Sequence, residues 1–121
     1  MKTQTVRQRK VADKIKQLVS VMIDRRLNDP QIGFTTLTHV RMSPDLRIAY
    51  IYFTVLGDEK AVEATHHGLQ RAAGFIRSEL GPELKMRFVP ELRFFPDDTM
   101  AYSNKINRLL DDLKKPDDDA E

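Results

Sequence analysis

The segment from Leu46 to Leu56 constrains the fold most strongly, because its apolar and polar side chains alternate along the chain. Successive side chains of a β-strand point to opposite faces of the sheet, so the alternation predicts a strand with one face on a core. Another strand-like segment, residues 33–42, precedes it, and the turn-forming residues Ser43-Pro44-Asp45 lie between the two. The two segments therefore predict an antiparallel hairpin. The faces of the second strand carry Ala49, Ile51, Phe53 and Val55 on one side and Tyr50, Tyr52 and Thr54 on the other.

The two tyrosines on the outer face of this strand, Tyr50 and Tyr52, are open to two interpretations. Exposed aromatic rings on a sheet can stack on the unpaired bases of a nucleic acid. Aromatic rings also pack against side chains of the neighbouring strand. Packing across strands is the commoner of the two roles, and the sequence alone favours it.

The spacing of apolar residues predicts helical regions before and after the hairpin. The first region runs from Val11 to Leu27 and ends before Pro30, because proline disfavours helical geometry in the residue that precedes it. The second region begins at Asp58, a residue type that caps the N-termini of helices. The apolar stripe of the first helix consists of Val11, Ile15, Leu18, Val19, Met22 and Ile23.

Two glycines, Gly68 and Gly74, interrupt the second helical region. Each costs up to about 1 kcal/mol relative to alanine inside a helix. A kink or break at Ala72-Ala73-Gly74 divides the region into a longer helix and a short one, residues 75–80, which Gly81-Pro82 then terminates. The alternative is that Gly74 only permits tight packing against the sheet, and the sequence leaves both open.

A third strand is predicted from Leu84 to Phe95, with Lys85 and Arg87 at alternate positions. Pro90 cannot donate a hydrogen bond to a ladder, so it indicates an edge strand or a bulge. Residues 97–113 contain a possible last helix, and residues 114–121 read as an acidic, disordered tail. Residues 1–113 are expected to form one domain.

The predicted order of elements is α-β-β-α-α-β, followed by a C-terminal helix. This order fits an α+β fold in which helices cover one face of a three-stranded sheet. It also fits the bacterial-type (type II) KH topology, in which two short helices with a glycine-containing junction hold single-stranded nucleic acid.

The formal net charge of +2 conceals a basic N-terminal part and an acidic end. Residues 1–27 contain eight basic residues and two acidic ones, whereas residues 111–121 contain six acidic residues and two lysines. Basic segments attract phosphate groups and acidic segments repel them. The sequence therefore favours contact with nucleic acid over an ordinary solvated surface.

The residue patterns that carry catalysis or bind metals are missing from this sequence. There is no cysteine, which excludes disulfides, thiol nucleophiles and thiolate metal sites. His66 and His67 are adjacent, so on a helix they point about 100° apart and do not face one metal ion. No phosphate-binding loop or nucleophile elbow is present. We therefore predict a protein without catalytic residues, metal or cofactor. Because no apolar run approaches the roughly 20 residues of a membrane span, we also expect a cytoplasmic location.

Three segments of the chain resemble the ribosome-binding factor A family of bacterial assembly factors. They are RKVADKIKQLVSVMI, MSPDLRIAYIYFTVLG, and GFIRSEL followed by MRFVPELRFFPDD. Their order and spacing make the match specific and extend it from Val6 to Leu113. The resemblance implies a KH-like fold with an Ala-x-Gly kink, here Ala72-Ala73-Gly74. It also implies binding to the immature 30S subunit and its 16S ribosomal RNA, assistance in late maturation and 5′-end processing, and a role in growth in the cold.

From the resemblance and the charge pattern together, we predict that RNA contacts the N-terminal helix, the kink and the third strand. We expect a monomer that binds no membrane and no small-molecule substrate. The alternative is a protein–protein interaction module, in which the hairpin or the edge at Pro90 recruits a partner strand and no RNA is touched. The predicted RNA-binding residues are Arg7, Arg9, Lys10, Lys14, Lys16, Arg71, Ala72, Ala73, Gly74, Arg77, Lys85, Arg87 and Arg93.

Overall fold

A computed structural model of the chain describes residues 4–25 and 29–97. Within these residues the chain forms two helices and three strands in the order α-β-β-α-β, which confirms the predicted α+β class. The predicted C-terminal helix and acidic tail lie outside the described residues. No helix in the described part is long and apolar enough to cross a membrane. The elements are α1 (Val6–Arg25), β1 (Thr35–Met42), β2 (Ile48–Val55), α2 (Glu59–Leu84) and β3 (Glu91–Pro96).

β2 lies at the centre of a three-stranded mixed sheet, between β1 and β3. β1 and β2 pair antiparallel, as the alternating pattern predicts, with Met42 opposite Ala49. Their register shifts between Leu37 and His39, where β1 contains one extra residue. β2 and β3 run parallel, because α2 returns the chain to the other end of the sheet before β3 begins.

Both helices pack on the same face of the sheet, and the core lies between the two layers. Ala49, Ile51 and Phe53 of β2 are fully buried there, as their alternation predicts. Each large apolar side chain buried in this way contributes about 1.5–3 kcal/mol to stability. The opposite face has no helix of the described part packed on it, and we call it the open face. It carries His39, Arg41, Tyr50, Tyr52, Arg93 and Phe95.

α1 begins at Val6, earlier than the predicted start at Val11. A reciprocal capping box forms this end of the helix. The Gln8 N–H donates to the Thr5 hydroxyl at 3.1 Å, and the Thr5 N–H donates to the Gln8 side-chain oxygen at 2.7 Å. These bonds satisfy N–H groups that have no partner within the helix. The Thr-x-x-Gln spacing is visible in the sequence, but the apolar stripe used for the prediction does not reach it.

α2 is one helix from Glu59 to Leu84, so the predicted division into two helices at Ala72-Ala73-Gly74 is wrong. Asp58 caps its N-terminus as predicted, and its carboxylate accepts a bond from the Ala61 N–H at 3.0 Å. The predicted stop at Gly81-Pro82 is also wrong. The ring of a proline clashes with the Cβ atom of the preceding residue when that residue is helical. Gly81 has no Cβ atom, so this clash is absent before Pro82.

The chain after α2 forms a loop where a strand was predicted, and β3 begins only at Glu91. Lys85 adopts the left-handed conformation, with φ 53°, and ends the helix. Residues 86–90 have no regular structure, and Pro90 is fully buried. The predicted alternation of Lys85 and Arg87 along a strand is therefore wrong, because α2 continues to the point where that strand was placed.

The two glycines of α2 differ in their surroundings. A Cβ atom at Gly68 would lie 2.7 Å from Cγ1 of Ile32, closer than packed atoms approach. Gly68 therefore allows α2 to lie against the segment that joins α1 to β1. A Cβ atom at Gly74 would meet no atom within 4 Å, and this residue is exposed. The alternative in which Gly74 serves tight packing against the sheet is thus wrong.

Two side chains of α2 cover the outer edge of β3. The Gln70 amide group donates to the Leu92 carbonyl at 3.3 Å, and its oxygen accepts from the Phe94 N–H at 3.1 Å. His66 Nε2 lies 2.7 Å from the Phe94 carbonyl and donates to it. These bonds occupy backbone groups that an edge strand otherwise offers to a further strand. The side chains of Leu92 and Phe94 are buried in the core.

Candidate nucleic-acid interface

One end of the sheet brings several basic segments together. We call it the hairpin end and define it by the turn between β1 and β2, residues 43–47. The N-terminus of α1 is held there by two side chains. Gln4 Nε2 donates to the Met42 carbonyl at 3.1 Å, and Gln8 Nε2 donates to the Pro44 carbonyl at 3.3 Å. The basic first turns of α1 therefore lie beside the turn.

The turn gives its residues a fixed backbone. The Ser43 hydroxyl donates to Asp45 Oδ1 at 2.7 Å and accepts from the N–H groups of Arg47 and Ile48 at 3.1 and 2.9 Å. The Ser43 hydroxyl, and then the Arg47 N–H, hold the pKa of Asp45 below its ordinary value of 3.8, since both bonds favour the charged carboxylate. Leu46 has φ 63°, which costs a residue with a side chain about 1–2 kcal/mol, and its side chain packs against the core.

The loop before β3 brings an aromatic ring and a second arginine to the hairpin end. The Glu91 N–H donates to the Arg47 carbonyl at 2.8 Å, which places this loop beside the turn. The guanidinium carbons of Arg47 and Arg87 lie over the ring of Phe88, 4.6 and 5.4 Å from its centroid. Such contacts contribute about 0.5–1 kcal/mol each at exposed sites. Phe88 remains 51% exposed, so an aromatic ring and two cations face solvent together.

A shallow cavity of about 450 Å³ lies between α2 and this loop. Its lining includes Arg77, Arg87 and the ring of Phe88. It also includes Gly74, where the missing side chain leaves the helix backbone accessible. Guanidinium groups bind phosphate oxygens through paired hydrogen bonds, and a bare glycine lets a polymer backbone approach closely. The cavity therefore suits a phosphate of a nucleic-acid backbone.

The predicted basic residues of α1 lie at the surface but do not share one face. Four are exposed and Lys16 is partly buried. Helical geometry groups Arg7 with Lys10 and Lys14, and Arg9 with Lys16 on the other side of the buried stripe. α1 therefore presents two basic strips rather than one, and both start at the hairpin end.

Two of the predicted arginines on α2 bind other parts of the chain. Arg71 pairs with Asp29 at 3.2 Å, away from the hairpin end. The pKa of Asp29 is lowered, first by the bond from the Gln31 N–H and then by Arg71. Arg77 donates from Nε and Nη2 to the Val89 carbonyl at 3.2 and 2.9 Å. This bond holds the loop before β3, and a neutral carbonyl does not neutralise the positive charge of Arg77.

The remaining predicted residues lie apart from one another. Arg93 is on the open face, where Glu91 pairs with it and raises its pKa. Lys85 is exposed at the end of α2. Ala72 and Ala73 pack against the core, so Gly74 alone of the three predicted kink residues is exposed. The predicted set thus does not form a single continuous surface.

Sequence reasoning missed Arg47 and Phe88 as functional residues. Their proximity depends on the pairing of β2 with β3, which no local pattern reveals. Two local signals point to them: an aromatic residue directly after Arg87, and an arginine at the end of a turn. Among the described residues, no group of three histidine, aspartate or glutamate side chains is placed to hold a metal ion.

Comparison with known proteins identifies the relatives of this chain. The family model described as ribosome-binding factor A matches residues 7–110. Ribosome-binding factor A from Staphylococcus saprophyticus is 44% identical over 112 residues, which are 93% of this chain and 98% of the relative. The crystal structure of ribosome-binding factor A from Thermus thermophilus superposes with a TM-score of 0.65 at 26% identity, covering 74% of this chain and 94% of that one. A Thermus thermophilus homology model, fitted into a cryo-EM map of a 30S–RbfA complex, gives a TM-score of 0.60 at 27% identity, covering 71% and 90% of the two chains.

Proposed function

The chain belongs to the ribosome-binding factor A family, and from this premise we propose that it binds the free, immature 30S subunit and contacts its 16S ribosomal RNA. Binding assists late maturation of the subunit and processing of the RNA at its 5′ end, and it matters most for growth in the cold. The protein acts in the cytoplasm as a monomer and by binding alone, without a catalytic residue, a cofactor or a small-molecule substrate. The fit of a Thermus thermophilus relative into a map of a 30S complex supports this partner.

The observation that carries the RNA contact is the convergence of cations at the hairpin end. Arg47 and Arg87 lie over the exposed ring of Phe88, and Arg77 lines the adjoining cavity. The basic strips of α1 start beside the same turn. Several phosphates of a folded RNA can therefore be bound at once.

Contacts of this kind position a protein without reading a base sequence. The arginines and lysines of the hairpin end contact phosphate oxygens, and Gly74 admits the RNA backbone to the cavity. Specificity then comes from the shape of the immature subunit, in which phosphates must match the spacing of these cations. This mechanism predicts binding that depends strongly on salt.

Co-sedimentation with purified 30S subunits, 50S subunits and 70S ribosomes tests the proposal. We expect binding to free 30S subunits only, with a log–log salt slope of roughly −0.7 to −0.9 for each phosphate neutralised. Lys10→Glu should weaken binding because it reverses a charge beside the hairpin end. Lys60→Glu is the matched control, since Lys60 is an exposed lysine near the start of α2, at the opposite end of the sheet.

Equal binding by the two variants, or binding that hardly changes with salt, contradicts the proposal. Circular dichroism of both variants separates a loss of binding from a loss of folding. The combined variant Arg7→Glu, Arg9→Glu and Lys10→Glu extends the same test to both basic strips of α1.

The alternative is a protein–protein interaction module that recruits a partner strand at the hairpin or at the edge near Pro90, and the bonds along β3 speak against the second of these edges. Gln70 and His66 occupy the outer backbone groups of β3 at Leu92 and Phe94. A partner strand must displace these bonds before it can pair. Nuclease digestion of the sedimented complex distinguishes the two functions: a complex held by RNA dissociates, and one held by protein survives.

A further inference from the structure

The open face of the sheet carries two cross-strand rows of side chains. Register places Arg41, Tyr50 and Arg93 opposite one another on β1, β2 and β3. The next row away from the hairpin end consists of His39, Tyr52 and Phe95. The first row thus sets a tyrosine between two arginines, and the second is aromatic on all three strands.

The rings of the two rows touch one another. His39 stacks on Tyr52, with centroids 4.2 Å apart and planes inclined by 14°. Phe95 lies 5.7 Å from Tyr52 and 6.2 Å from Tyr50, tilted by 31° to each. Because His39 covers one face of Tyr52, the surface left for a further ring is at Phe95 and Tyr50. Phe95 is 37% exposed, so part of its ring is accessible to solvent.

We propose that this open face binds unpaired bases of ribosomal RNA, which stack on Phe95 and Tyr50 while the arginine row holds the adjoining phosphates. The inference rests on the proposed function, since it supposes an RNA partner. Aromatic rings on an exposed sheet are an established means of holding single-stranded bases, and stacking tolerates any base because every base has a flat face.

The distribution of charge indicates on which side of the aromatic row the phosphates lie. The row of Arg41 and Arg93 lies nearer to the hairpin end, where Glu91 pairs with Arg93 and where Arg47 and Arg87 add positive charge. At the other side of the aromatic row, Asp97 lies 3.6 Å from His39 Nδ1 and accepts a bond from the Thr38 hydroxyl at 2.5 Å. A phosphate is repelled there and attracted toward the hairpin end. The bases therefore occupy the aromatic row, and the phosphates lead away from Asp97.

Binding of a ten-nucleotide oligouridine, followed by fluorescence anisotropy, tests this site directly. We expect wild-type protein to bind oligouridine more tightly than an RNA duplex of the same length. Phe95→Leu and Tyr50→Leu should each weaken oligouridine binding by at least about fivefold, because each removes a stacking surface and keeps an apolar side chain. Tyr50→Phe keeps the ring and should bind like the wild type.

Phe34→Leu is the matched control for ring removal. Phe34 is 77% exposed and lies beside the C-terminal end of α1, outside the two rows. Tyrosine emission gives a second readout, because the chain has no tryptophan and three tyrosines, two of them on this face. Stacked uracil should quench that emission in a Tyr102→Phe background, where only Tyr50 and Tyr52 remain.

Three results overturn the inference. One is equal oligouridine affinity for Phe95→Leu, Phe34→Leu and the wild type. Another is no preference of the wild type for the single strand over the duplex. The third is a Phe95→Leu variant that binds oligouridine normally but no longer sediments with 30S subunits. In that case the open face contacts a ribosomal protein and not unpaired bases. If the wild type binds oligouridine through these rings but does not sediment with 30S subunits, the proposed function fails and this site stands.

Discussion

At the scale of single residues, the two glycines of α2 show why a residue type alone does not reveal its role. Gly68 and Gly74 lie in the same helix and carry the same penalty for helix formation. Only the structure shows that a Cβ atom at Gly68 would overlap Ile32, whereas a Cβ atom at Gly74 would meet no atom within 4 Å. The first glycine serves packing, and the second leaves backbone exposed at a basic cavity.

This difference predicts opposite effects of the same substitution. Gly74→Ala should raise the free energy of unfolding by about 0.5–1 kcal/mol, since alanine favours the helix and meets no neighbour. Gly68→Ala should lower it by about 1–3 kcal/mol, because the new Cβ overlaps Ile32. Urea unfolding of both variants measures the two effects.

Co-sedimentation with 30S subunits then separates stability from binding. The more stable Gly74→Ala variant should bind more weakly, because its methyl group faces the RNA backbone in the cavity. If this variant binds 30S subunits as the wild type does, Gly74 is not part of the interface. The predicted changes in the free energy of unfolding do not depend on that outcome.

The carboxylate of Asp45 makes the hairpin turn sensitive to acid. Its folded-state pKa lies below the ordinary value of 3.8, chiefly through the Ser43 hydroxyl, so its charged form stabilises the fold. That contribution is complete above the unfolded-state pKa and is lost as the pH falls through the lower folded-state value. Asp45→Asn should therefore lower the thermal midpoint more at pH 7 than at pH 3. A variant whose deficit is equal at both values contradicts a role for the charge.

At the scale of elements, the sequence predicts what depends on neighbouring residues. The alternation along β2 predicts its buried face, and the residue type of Asp58 predicts the start of α2. The end of α2 and the start of β3 were predicted wrongly, because Gly81-Pro82 normally stops a helix. The helix continues through Pro82 because Gly81 lacks the Cβ atom with which the proline ring would clash. It ends at Lys85 instead.

The capping box at the start of α1 gives a prediction for that element. Thr5→Ala should lower the free energy of unfolding by about 1 kcal/mol, because the N–H group of Gln8 loses its partner. Ser78→Ala, an exposed position within α2, is the control and should change stability by less than about 0.5 kcal/mol. Urea unfolding with equal midpoints for the two variants contradicts a stabilising cap.

At the scale of the whole molecule, the candidate interface was predictable in composition but not in arrangement. The excess of cations in residues 1–27 is evident from the sequence, and the basic residues of α1 are exposed or partly buried. The pairing of Arg71 with Asp29 was not predictable, because 42 positions separate them along the chain. The meeting of Arg47 with Phe88 likewise requires the parallel pairing of β2 and β3.

The proposed domain, residues 1–113, predicts the behaviour of a shortened chain. Residues 114–121 lie outside the described residues and contain four acidic residues and two lysines. A chain that ends at Leu113 should unfold at the same urea concentration and bind 30S subunits at least as tightly at low salt, since the loss removes negative charge. A lower unfolding midpoint places part of the folded core beyond Leu113.

The covered outer edge of β3 has a consequence for the behaviour of the protein in concentrated solution. The unpaired backbone groups of an exposed edge strand can pair with the edge strand of another copy, which leads to aggregation. Gln70 and His66 prevent such pairing at the edge of β3, because another copy must first break their hydrogen bonds to Leu92 and Phe94. The sheet face that no described helix covers can thus serve the proposed ligand without this edge of β3 promoting self-association.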